Sequence, residues 1–287
     1  MKSKELKYRI SWQDVWEKMR NDRVGRRPRV TYDQDFQRKS TKDFSNRCKW
    51  NDYELGRKVV NVLGNILKDD FEVLEIGPGP GTLTIPLSEK VRKIACIEAS
   101  KANLEILKEN LEEKGIKNIE LINEYWEKAK IKNSFDLVVC SHFRWMVKDL
   151  EKHLEKMEEF SDRYCAIVQP CGRDEVVKKA FEEICKERYM GQFEPDADYF
   201  AYVILREWSR LVDTCFLEYS FELKLEEAVR YVASFLGKFI EVNGGVADKI
   251  EEFLTSEVGE TWEVKSKAVI MWWKPVSADF TNTDHVI

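Results

Sequence analysis

The residues best placed to do chemistry crowd into one short stretch, Glu75-Ile76-Gly77-Pro78-Gly79-Pro80-Gly81. A short apolar run over 71–76 reads as a buried parallel strand. It breaks into three glycines at alternate positions, and a helical pattern resumes after them. Glycines permit backbone turns and close approaches that a side chain forbids. Strand, glycine turn and helix, in that order, bring backbone N–H groups to a ligand at the carboxyl end of a sheet. The spacing Glu-x-Gly-x-Gly-x-Gly differs from that of dinucleotide-binding loops. Glu98 closes the next strand, and a carboxylate there can accept hydrogen bonds from two neighbouring hydroxyls at once. Further on, a fourth apolar run ends in Ser141-His142-Phe143-Arg144-Trp145. His142, one of only three histidines, has an ordinary pKa near neutrality and reads either as a general base or as a residue that shapes the pocket.

These groups need a scaffold that ends several strands on one edge. Strands are predicted at 71–76, 93–99, 119–123, 135–140, 164–169, 216–224 and 261–274. Helices are predicted at 51–67, 81–90, 101–114, 149–160, 173–188, 198–212, 225–239 and 246–256. Ser100 and Gly115 suit the cap positions of the third of these helices. The alternation gives an α/β fold: a doubly wound, mostly parallel seven-stranded sheet with helices on both faces. An N-terminal helical leader and a helical cap insertion are added to it. The expected organisation is a leader or lid over 1–50, a main domain over 51–276 with the cap at about 171–212, and a loose tail over 277–287.

Within the leader, 1–20 reads as an amphipathic helix with Ser11 as N-cap. Residues 21–45 show no periodicity and read as a long ordered loop or a lid. Trp50 and Tyr53 follow, placed either to fold over a ligand or to pack. The cap is rich in aromatics, including Tyr199 and Tyr202, which either enclose an acceptor or form core.

The chain has 287 residues, 43% hydrophobic and 34% charged, the balance of a globular protein with a sizeable core. No apolar run approaches the length of a membrane span, and the start lacks the apolar core of a signal peptide. Seven scattered cysteines suggest buried thiols in a reducing compartment, hence a cytoplasmic location. Metal-ligand spacings are missing, so no metal is expected. The net charge of −5 divides unevenly: residues 1–60 hold 17 Lys+Arg against 9 Asp+Glu. Such a basic segment either faces an anion or docks on the acidic remainder.

The stretch from Val73 to about Leu111 resembles motif I of the class I S-adenosylmethionine-dependent methyltransferases, with a looser likeness to about Pro275. The resemblance implies S-adenosylmethionine as cofactor and an antiparallel last strand. It implies that Glu75, Gly77, Gly79 and Gly81 lie under the cofactor and that Glu98 and Ala99 hold its ribose. Tyr125 and Trp126 would then flank the adenine, with Trp126 offering a ring face, and Ser141 would sit near the methyl. The acceptor pocket would be lined by Trp50, Tyr53, Trp145, Tyr199 and Tyr202. The leading reading is methyl transfer to a small molecule enclosed by leader and cap. Motif I also resembles the ribosomal RNA adenine dimethyltransferases, which makes an RNA methyltransferase the alternative. Those enzymes follow strand four with an Asn-Leu-Pro-Tyr type motif, and Ser141-His142-Phe143-Arg144 departs from it, which argues against nucleic acid. A cofactor-binding subunit without activity is the third reading.

Overall fold

The structure, a computed structural model, describes residues 10–25, 34–141, 147–171, 174–189, 197–237 and 239–276. Its centre is one seven-stranded sheet of order β3-β2-β1-β4-β5-β7-β6. The strands are β1 Glu72–Ile76, β2 Lys93–Ile97, β3 Ile119–Ile122, β4 Phe135–Ser141, β5 Ser161–Cys171, β6 Val212–Lys224 and β7 Thr261–Trp273. β1 to β5 pair in parallel, and β7 runs antiparallel to both β5 and β6. The helices are α1 Trp12–Gly25, α2 Gln34–Trp50, α3 Glu54–Leu63, α4 Thr84–Ser88, α5 Lys101–Lys114, α6 Leu150–Glu159, α7 Glu175–Cys185, α8 Ala197–Glu207, α9 Leu225–Leu236 and α10 Gly244–Glu257. No helix among the described residues is long and apolar enough to cross a membrane.

Side chains of the central strands alternate between two apolar layers, as the two-residue period requires. Leu74, Ile76, Val138, Cys140, Cys165 and Ile167 face α6, α8 and Trp16 of α1. Val73, Leu137, Val139, Ala166 and Val168 face α3 and α4. The leader is therefore divided. α1 belongs to the first layer, whereas α2 packs on α5 through Cys48, Leu107 and Leu111.

α1 is fixed by its own polar groups. The Trp16 indole donates to Val147 O at 3.0 Å, and Gln13 Oε1 accepts from Leu150 N at 2.8 Å. Ser11 caps the helix, accepting from Asp14 N at 3.2 Å. The loop expected over 21–45 is a correction: α2 occupies its second half. The buried positions of α2 include Ser45 alongside Cys48, so hydrogen bonding replaces the apolar stripe that would have announced a helix. The expected helix over 51–67 starts only at Glu54. Asp52 and Tyr53 adopt left-handed backbone angles (φ 50° and 56°), and Arg57 clamps that corner by donating to Asp52 O and Oδ2 at 2.9 and 2.8 Å. Gly56 then lets α3 approach closely, for a Cβ there would lie 2.0 Å from Thr82 O.

The cap also differs from expectation. The described residues of 171–212 do not form one block. α8 lies on the sheet, whereas α7 joins α9 and α10 around Val177, Phe181, Leu223, Val232, Leu254 and Trp262. β5 pairs with β7 only from Cys165↔Trp273 to Cys171↔Lys267. β6 and β7 continue together to Lys224↔Thr261, so their hairpin overshoots the carboxyl end of β5 and carries the cap there. β6 is an edge strand, and the α2–α3 corner covers part of its backbone. Asn51 Nδ2 donates to Ser220 O, Lys58 Nζ to Glu218 O, and Ser220 N to Glu54 Oε2.

Candidate functional site

β1 delivers the chain into the glycine loop at the carboxyl edge. Gly77 N donates back to Ile97 O at 2.8 Å, and Gly81 N closes a turn on Pro78 O at 3.0 Å. Gly77 and Gly79 have φ of 66° and 57°, the left-handed region where a side chain is strained. A Cβ on either would meet nothing within 4 Å. The loop thus presents bare backbone to open space. Gly81 serves packing instead, because a Cβ there would lie 2.8 Å from Leu107 Cδ1.

Glu98 stands beside this opening, at the end of β2. Its Oε2 accepts from Gly79 N at 3.2 Å and from Asn103 Nδ2 at 3.2 Å, and its Oε1 accepts from Ser100 N at 2.8 Å. The carboxylate is held by the loop and by the first turn of α5. Asn103 Oδ1 in turn accepts from Thr41 Oγ1 of α2 at 3.1 Å. A chain of contacts therefore runs from the leader to the glycine loop.

Glu75 lies beneath the loop and is fully buried. Burial pushes its carboxyl up to about 7, with Thr84 and Cys96 opposing and Glu98 adding to the rise. Its Oε1 has no hydrogen-bond partner. A neutral or half-neutral acid under a ligand floor can donate a proton into that floor or hold a buried water.

On the far side of β2, Ala99 O and Glu98 O accept from Asn123 Nδ2 at 3.2 and 2.9 Å, which ties the end of β3 to the end of β2. Tyr125 is exposed, with Lys128 Nζ 5.3 Å from its ring centre. Trp126 does not stand free to stack. It is buried between His153 and Phe160, and Lys156 Nζ sits 4.4 Å from its ring centre. That is a correction to the adenine-stacking expectation: the ring completes the apolar layer under α6. Ser141 is the last residue of β4 and is half-buried. His142 and Trp145 lie outside the described residues.

The proposed pocket residues separate. Trp50 ends α2 and is 83% exposed. Tyr53 is a further correction, because its side chain is buried with Cys48, Ile85, Leu107 and Leu111 behind the loop. Burial and the nearby Cys48, Glu113 and Asp52 push its phenol up to about 12. Tyr199 and Tyr202 are part-exposed on α8, and Tyr199 meets Trp12 of the leader edge-on at 6.1 Å.

Three asparagines escaped the sequence reading. Asn103 and Asn123 hold Glu98, and Asn110 Nδ2 donates to Pro80 O and Ser45 Oγ, both at 2.8 Å. The position of Asn103, three residues after the Ser100 cap, was the one available signal. Bare backbone over Gly77 and Gly79, next to a carboxylate able to accept hydroxyls, fits the nucleoside and amino-acid portions of S-adenosylmethionine.

Residues 73–161 match the family model described as a methyltransferase domain, a segment covering β1 to the start of β5. A ribosomal RNA small subunit methyltransferase A from Desulforapulum autotrophicum is 40% identical over 72 residues, 25% of each chain. An uncharacterised protein of Methanocaldococcus jannaschii is 28% identical over 89 residues, 31% of this chain and 34% of that one. These matches thus span no more than about a third of the relatives' length. The solved YcgJ protein of Bacillus subtilis superposes with a TM-score of 0.51 at 13% identity, over 78% of this chain and 100% of that one. At that identity the likeness is one of fold.

Proposed function

We propose that this chain, whose residues 73–161 match a methyltransferase-domain model, is a class I methyltransferase that transfers a methyl group from S-adenosylmethionine to a small-molecule acceptor held between leader and cap. When bound, the cofactor supplies a sulfonium methyl that an acceptor lone pair attacks, the C–S electrons passing to sulfur. The chain's own part is to bind, orient and exclude water. The glycine loop offers backbone to the cofactor, and Glu98 offers its carboxylate to ribose hydroxyls.

The observation that carries the reading is the position of α2, which meets Asn103 beside Glu98 and reaches across to the cap. α2 bridges from α5 to the cap: Asp43 accepts from Arg230 of α9 at 2.7 Å. Arg47 lies 5.5 to 6.0 Å from the rings of Phe44, Phe221 and Tyr231. A roof of that kind supports a small acceptor better than a polymer. RNA remains the second reading, favoured by the short matches to ribosomal RNA methyltransferases.

Full-length protein with methyl-labelled S-adenosylmethionine, offered a low-molecular-mass cell extract or total RNA, separates the two. Label is expected in the small-molecule fraction. Label in RNA overturns the small-acceptor reading, and failure of S-adenosylhomocysteine to bind by calorimetry overturns the methyltransferase reading itself.

A further inference from the structure

A buried polar atom without a partner marks a requirement that the fold leaves unmet. Gln169 Nε2 is one such atom. Gln169 is 5% exposed and pairs with Val269 near the carboxyl end of β5. An unpartnered buried amide costs about 1–3 kcal/mol, whereas leucine or methionine would fill similar space without that cost. β4 stops one step earlier, at Ser141↔Val168. Gln169 is therefore the first β5 residue beyond that pairing, on the edge where the glycine loop opens. Strand alternation puts it on the face of Cys165 and Ile167, the side covered by α1 and α8.

Aromatic rings gather on that side. Trp12 meets Tyr199 and Phe200 edge-on at 6.1 and 6.3 Å, and Trp16 anchors the same helix to Val147 O. The first turn of α8 reaches the end of β5, where Asp198 acts electrostatically on Cys171. A carboxylate at that position disfavours an anionic ligand, and an uncharged carboxamide does nothing to neutralise one.

We propose that Gln169 is a specificity-determining residue of the acceptor site, donating from Nε2 to an oxygen of a neutral, planar acceptor whose ring lies against Trp12 and Tyr199. This rests on the methyltransferase reading above. Rings that pack edge-on favour a flat partner, and a site built to donate one hydrogen bond rejects ligands that lack the matching oxygen.

Three probes test it on the full chain saturated with S-adenosylhomocysteine: benzamide, cyclohexanecarboxamide and benzoate, titrated by ligand-observed NMR. Benzamide should bind about tenfold or more tighter than the other two. Gln169→Leu should weaken benzamide about tenfold, leave S-adenosylhomocysteine affinity unchanged, and raise Tm by removing the unmet donor. Gln169→Met gives the same readouts should the leucine variant fail to fold. Unchanged benzamide binding in the folded variant, absence of a preference for benzamide, or a lower Tm in both variants overturns the proposal while leaving the methyltransferase reading intact. Failure of S-adenosylhomocysteine to bind the wild-type chain overturns both.

Discussion

The two halves of the sheet are built to different lengths. β1 and β2 have five residues each and β3 has four, and all end at one edge. β6 and β7 have thirteen each and run past it. Strands that stop together make a floor on which a loop can hold a ligand. Strands that continue make a wall, and here they carry a helical cluster of their own. The short half holds the glycine loop, Glu98 and Glu75. The long half holds Gln169, the cap and the contacts to α2. On the proposed reading, cofactor chemistry and acceptor choice are thus divided between two pieces of one sheet.

The bolt between the halves gives the largest expected effect. Glu158 of α6 accepts both bonds of Arg210 at 2.8 and 2.7 Å, and also the Trp273 indole at 2.8 Å. Glu158→Ala leaves a part-buried guanidinium unpaired and should cost about 3 kcal/mol in urea denaturation. A loss under about 1 kcal/mol would show that apolar packing alone joins the halves.

Next comes a pH test of the short half. Glu75, raised to about 7 by burial, favours folding as the neutral acid. Its contribution is fully present below the unfolded pKa of about 4.5 and is lost as pH rises through about 7. Glu75→Gln should therefore match wild type near pH 4.5 and exceed it by about 3 kcal/mol at pH 8.5. Parallel stability curves for the two proteins would remove the buried acid from the account.

The glycine loop gives the smallest effect on folding. Gly79→Val should destabilise by about 1–2 kcal/mol through its left-handed backbone, yet the side chain enters open space, so the protein should fold. S-adenosylhomocysteine affinity should fall at least about tenfold, or about 1.4 kcal/mol. Unchanged calorimetric affinity in a folded Gly79→Val protein would detach the loop from the cofactor.

The short half was legible because its signals are local. A buried apolar run, alternate glycines, the Ser100 cap and Gly115 each declare themselves within a few residues, and β1, β2 and α5 lie close to where they were expected. The long half resisted because its determinants are distant in sequence. Nothing near 171–212 announces that α7 would join α9 and α10 on a hairpin whose arms are about 40 residues apart. α2 was missed because its inward face is partly polar and finds its partners on α5. Trp126 and Tyr53 stand at positions where the family resemblance puts ligand contacts, and burial has made both of them core.

Glu98 offers four lone-pair sites, and three donors already use them: Gly79 N, Ser100 N and Asn103 Nδ2. On the proposed reading two ribose hydroxyls would require two sites, so one present donor would have to yield. The backbone donors are set by the chain, whereas the Asn103 carboxamide can rotate, and its other end receives Thr41 of α2. Nucleoside and leader helix would then compete for one asparagine, and the penalty each imposed on the other would be the same in both directions. Thr41→Val should accordingly tighten S-adenosylhomocysteine binding a few-fold, about 0.5–1 kcal/mol, and ligand should speed hydrogen exchange in the first half of α2. Weaker binding in Thr41→Val would reverse the sign of that coupling. A spent nucleoside would then loosen the helix that roofs it, so that one contact of α2 both shapes the nucleoside site and helps to clear it.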